Sequence, residues 1–148
     1  MNHPSFSHWQ RCSVGLSSLS VLFASGCADF TQQNAPASFA SVRPVFESNC
    51  VHCHGPNRLA HMPALADTRS LAGLIGPANW IVPGHPERSR FFEVVTLTDA
   101  QPGAMPPTGH AISAAEVEKL RAWIVAGAPV PDGEPVALVP RGEGPRSQ

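Results

Sequence analysis

The chain has 148 residues, with 10 basic and 11 acidic side chains and a formal net charge of -1. That length allows one domain with extensions, and so even a balance gives no electrostatic case for nucleic acid or an acidic surface as partner. Tyrosine is absent and prolines number 16, which favours short helices and proline corners over a sheet, because proline is excluded from central strands.

The amino-terminal stretch reads as an export signal. Arg11 supplies a positive start, and Val14 to Gly26 is apolar and small. This run is too short to cross a bilayer, which takes about 20 residues, and fits a secretory signal instead. Its end, Ala24-Ser25-Gly26-Cys27, resembles the lipobox of bacterial lipoproteins, with Ala24 where leucine is usual. The resemblance implies a signal over residues 1–26, cleavage before Cys27 and a lipid anchor on that cysteine. Ordinary cleavage near Ala28, giving a soluble periplasmic protein, is the alternative. Ala28 also stands where an aspartate would favour inner-membrane retention, so by the same analogy the outer membrane is favoured. Residues 27–37, with Gln32, Gln33 and Asn34, read as a tether.

The globular part is expected over residues 38–129. A first helix is predicted to start at Ser41 as cap, with Pro44 in its first turn, where a missing N–H has no partner to lose. Val42, Val45 and Phe46 share one face at helical spacing. The helix leads into Cys50-Val51-His52-Cys53-His54. This C-x-x-C-H pattern is the attachment signature of c-type haem: two thiols form thioethers to one haem, and the following imidazole, His54, is placed to ligate the iron. A thioredoxin-like pair shares the two cysteines, but its alternating βαβ pattern is missing. A zinc site would combine Cys50 and Cys53 with two of His52, His54, His61, His85 and His110.

Cysteine use agrees with the haem reading. Cys12 falls in the signal, and Cys50 and Cys53 are taken by haem. Cys27 would be a lone thiol in an oxidising compartment, which lipidation resolves. No cysteine is left for a structural disulfide.

A second helix is predicted from Asp67, as N-cap, to Ile75, stopped by Gly76 and Pro77. A third opens at Pro86 with Glu87 in its first turn, and Phe91, Val94 and Val95 form its apolar side. Gly103-Ala104-Met105-Pro106-Pro107 follows as a loop stiffened by paired prolines, well suited to hold the Met105 thioether over a haem as sixth ligand. His110 and His85 are alternative ligands, and Met62 a weaker one. Arg58, Asn79 and Trp80 are candidate partners of the haem propionates. The last helix starts with the capping box Ser113-Ala114-Ala115-Glu116, buries Val117, Leu120, Trp123 and Ile124, and ends at Gly127 and Pro129. Trp123 reads as core rather than as an electron relay. Residues 130–148 show no sustained periodicity and are expected to be a flexible tail.

These segments together resemble the mono-haem c-type cytochrome domains of the class I cytochrome c kind, and most of all the planctomycete-type group. The likeness rests on Val42 to Phe46, on Cys50-x-x-Cys53-His54-Gly55, on Val82-Pro83-Gly84-His85-Pro86-Glu87-Arg88-Ser89, on Met105-Pro106-Pro107 and on Leu120-x-x-Trp123-Ile124-x-x-Gly127-Ala128. His85 stands where the family usually has an acidic N-cap. The resemblance implies an all-α fold of short helices around one covalently attached haem c, with His54 proximal and Met105 distal. It also implies one-electron transfer rather than an enzyme of its own, with periplasmic or membrane redox proteins as partners; a monomer is expected, anchored by the lipid that the lipobox likeness implies, and the even charge leaves no case for nucleic acid. A haem subunit of a periplasmic oxidoreductase complex is the first alternative, and a gas sensor with an open sixth site the second.

Overall fold

A computed structural model describes residues 37–98, 100–107 and 110–142. The signal, Cys27 and residues 143–148 lie outside the described residues. Among the described residues five α-helices follow one another: α1 (Phe39–Asn49), α2 (Val51–His54), α3 (Thr68–Ala72), α4 (Arg90–Thr96) and α5 (Ala114–Val125), with a 3₁₀ turn, Pro86–Arg88, before α4. There is no β-strand among the described residues, only isolated bridges between Asp67 and Ala137 and between Ile75 and Ile81. The fold is all-α, as expected.

α1 begins earlier than the sequence suggests. Ser38 is its N-cap, and Ser41 lies inside the first turn, where its Oγ donates to the Ser38 carbonyl at 2.6 Å. The cause is Phe39, which is buried on the same stripe as Val42 and Phe46 and draws the chain into helix before Ser41. Pro44 therefore stands in the helix interior.

α1 packs against α5, and α4 packs against α5 from the side. Phe46 joins all three, 5.7 Å from the ring of Phe91 and 5.6 Å from that of Trp123, the latter pair edge to face. Trp123 is fully buried, and its Nε1–H donates to the Pro129 carbonyl at 2.9 Å, so its polar atom is satisfied within the core.

The predicted caps of α3 and α5 are present. Asp67 accepts from the Ser70 N–H at 2.7 Å while its own N–H donates to Ser70 Oγ, and Ser113 and Glu116 form the reciprocal pair at α5. α3 stops at Ala72 rather than reaching Ile75, because Ile75 turns away to pair with Ile81. At the end of α5, Gly127 adopts φ 96°, and the Gly127 and Ala128 N–H groups return to the carbonyls of Ile124 and Trp123. That double return needs a left-handed residue, which glycine supplies without strain.

The segment expected to be a flexible tail is packed as far as residue 142. The Val136 carbonyl accepts from the Thr68 N–H, and the Leu138 N–H donates to the Ala66 carbonyl. Leu138 is buried in the core. Further on, the Arg141 N–H donates to the Glu47 carbonyl at 2.9 Å. Glu47 is a fully buried carboxylate on α1, paired with Arg43 at 2.9 Å and with Arg141 at 2.5 Å, and it also accepts from the Val139 N–H. Burial by itself pushes the Glu47 carboxyl up, but the Arg43 hydrogen bond, the Val139 N–H and the charges of Arg43 and Arg141 outweigh it and hold the group below its ordinary value of 4.5.

Two outcomes follow for the strap of residues 136–141. Leu138→Ala will destabilise the haem-loaded protein by about 2–5 kcal/mol in urea unfolding, where a loose tail would give no change. Because the folded value of Glu47 lies below the unfolded one, its contribution is complete above about pH 4.5 and disappears as pH falls through the lowered folded value. Melting followed down through that range will therefore fall more steeply in the wild type than in Glu47→Gln.

Candidate haem site

The end of α1 and the short α2 place the chemistry. The Cys50 N–H closes α1 on the Phe46 carbonyl, and Cys53 and His54 both return to the Cys50 carbonyl. Spacings of three and four residues put Cys50, Cys53 and His54 on one face of the turn, and all three line a single cavity of about 350 Å³. Cys50 is buried and Cys53 exposed, and both are free thiols. Burial, helped by Cys53 and Glu116, pushes the Cys50 thiol up to about 12, so it is neutral at physiological pH. Gly55 ends α2 in close contact: a Cβ there would come within 2.5 Å of the Val51 carbonyl oxygen.

His54 is oriented from behind. Its Nδ1 lies 3.0 Å from the Pro63 carbonyl, which can only accept, so Nδ1 carries the hydrogen and Nε2 keeps its lone pair. The Leu65 N–H donates to the His54 carbonyl at 2.8 Å, so the segment from Pro63 to Leu65 grips the histidine by side chain and backbone. A second partner of this kind fixes the tautomer and ring direction of a metal-binding histidine.

The rest of the cavity is mostly apolar, with Leu65, Leu74, Phe91, Val94, Val95 and Ile112 in its walls. Met105 lines it too, 39% exposed, with its N–H fastened to the Val94 carbonyl at 2.9 Å. Met62 and His61 also reach the rim. Two thiols, an imidazole with a free Nε2, a thioether and an apolar hollow within the usual size range of about 300–1,000 Å³ form a donor set that fits covalently attached haem. Among the described residues no group of three or more His, Cys, Asp or Glu side chains is gathered to hold a bare metal ion, so the zinc arrangement is not formed.

A family model described as cytochrome C oxidase, cbb3-type, subunit III matches residues 37–124. The chain belongs to this family. It is a c-type cytochrome domain, which binds haem c with its iron and serves haem-based electron transfer. No curated protein and no solved structure matches the chain.

Other candidates in the cytochrome fall elsewhere. His110 does not line the cavity, and its Nε2 is 3.1 Å from Asn49 Oδ1. His85 pairs with Glu87 on the exposed 3₁₀ turn and caps nothing. His52 faces the strap and donates to the Arg141 carbonyl. Arg58, expected near a propionate, uses its Nε on the Met62 carbonyl at 3.0 Å and does not line the cavity. Asn79 bonds the carbonyls of Gly73 and Ile75 instead. Trp80 is at the rim, 40% exposed.

Arg90 was missed by sequence reasoning. It opens α4, reaches the cavity and pairs with Glu93 at 2.6 Å. The only signal was its place directly before the apolar Phe91, where a cation is brought alongside the core. Among the residues that line the cavity it is the one arginine or lysine. Arg90→Leu is expected to lower the reduction potential of the loaded cytochrome by roughly 20–60 mV, since loss of a nearby positive charge favours the ferric state. Potentiometric titration checks this, and an unchanged potential would mean that Arg90 is electrically remote from the haem.

Proposed function

We propose that this cytochrome is a one-electron carrier with a single haem c, attached through Cys50 and Cys53 and ligated by His54 and Met105. The observation that carries the reading is the placement of His54 and Met105 on one apolar cavity, each with its backbone or ring fixed by a neighbouring segment. Bound there, haem supplies the ferric–ferrous couple. The chain's part would be to hold two donors, the His54 Nε2 and the Met105 thioether, in place, to leave no opening for a substrate, and to keep water out with the walls from α4 and Leu74. Methionine opposite histidine raises the potential relative to a two-histidine site. The fixed donors reduce the rearrangement that accompanies a change of iron charge.

The carrier would work outside the cytoplasm, tethered through a lipid on Cys27 and exchanging electrons with membrane or periplasmic redox proteins as a monomer. A short tether holds it in a shell near the membrane and raises the local concentration of partners there. The family description supports a second reading, a haem subunit of a larger oxidoreductase. Co-purification with a catalytic subunit separates the two.

The wild-type protein is expected to give a low-spin c-type spectrum with the weak iron–methionine charge-transfer band. Met105→Ala should keep the haem attached, lose that band, open the iron to carbon monoxide and lower the potential. A variant spectrum identical to the wild type would remove Met105 from the ligand set. Cys27→Ser should move the cytochrome from the membrane to the soluble periplasmic fraction, and continued membrane association would rule out the anchor.

A further inference from the structure

Asn49 joins three parts of the molecule. It is the last residue of α1, directly before Cys50, 8% exposed, and it lines the haem cavity. Its Nδ2 group donates to the Val45 carbonyl at 3.0 Å and to Glu116 Oε1 at 3.3 Å. Its Oδ1 accepts from His110 Nε2 at 3.1 Å. Turned over, the amide would set its oxygen against a carbonyl and a carboxylate, so the orientation is decided by its neighbours. His110 Nε2 therefore carries the hydrogen.

His110 follows Met105 by five residues on the way to α5. The Met105 side of this connection is fastened to α4 through the Val94 carbonyl. The His110 side is fastened to α1 through Asn49, and Ile112 then packs on the core. On the reading that Met105 is the sixth ligand, we propose that Asn49 is its positioning residue. By holding His110 on the end of α1, Asn49 limits how far the Met105 connection can withdraw from the iron. A thioether is a weak donor whose hold depends on the local concentration that its loop imposes, and a loop freed at one end lowers that concentration. The same side chain bonds Glu116 in the cap of α5, so the attachment turn, the distal connection and the last helix are registered to one another at a single amide.

The test uses the haem-loaded protein with imidazole as a competing ligand, followed at the iron–methionine charge-transfer band, together with the reduction potential. Asn49→Ala and His110→Ala should each bind imidazole about tenfold more tightly, as expected for one lost buried hydrogen bond, and lower the potential. His110→Gln retains an N–H at the matching position and should behave as the wild type, which a general loss of stability would not produce. His110→Ala keeps the test open if Asn49→Ala fails to fold. A wild type that shows the band, with alanine variants that bind imidazole no better, overturns the proposal alone. A glutamine variant as weak as alanine also overturns it, because the donor would not be what matters. A wild type without the band overturns the Met105 reading and this proposal with it.

Discussion

The structure depends on the position of α1, and Phe46 sets that position. Its ring is wedged between Phe91 of α4 and Trp123 of α5, both buried. Four residues later the same helix delivers Cys50, and the haem face of α2 begins. A rotation of α1 that disturbed the aromatic cluster would swing the two thiols and His54 by the same angle. Core packing and cofactor geometry are therefore one problem, solved once.

The cavity makes that dependence mutual. A small domain gains stability when something apolar fills a hollow in its core, and this one has about 350 Å³ to fill, with no disulfide among the described residues. A haem bound here would complete the core as well as supply a redox couple, in keeping with walls that are mostly aliphatic and aromatic.

Local signals carried much of this. The reciprocal caps at Asp67 and Ser113 and the glycine stop at Gly127 act within a few residues, so their side chains announce them. A stiffened loop at Met105 was legible because prolines on its C-terminal side restrict the backbone, and Met105 does line the cavity. The strap was not legible: its main-chain bonds to Thr68, Ala66 and Glu47 join residues far apart in sequence and leave no period to read, and Leu138 is its one buried apolar side chain among the core residues. Glu47 was the clue, a carboxylate next to Phe46 on the buried side of α1, which needs cations from elsewhere. The place of the arginines was hidden for a similar reason. Arg58 was expected near a propionate, but the turn back to Met62 takes its Nε, while α4 carries Arg90, of which nothing was expected, to the cavity.

The attachment turn is held on both of its sides. Cys50, Cys53 and His54 face the cavity, Val51 is buried against the core, and His52 projects to the strap, where its ring donates to the Arg141 carbonyl. Arg141 in turn reaches Glu47 with both its backbone and its guanidinium. Four residues of helix would fray alone, since so short a helix gains too few bonds to offset its nucleation. Here the turn is bounded by α1 on one end, by the grip of Pro63 and Leu65 on His54, and by the strap behind. His54 is thus fixed from three directions, through its Nδ1, its carbonyl and the turn that carries it. The strap lies beyond the matched family region, which ends at residue 124.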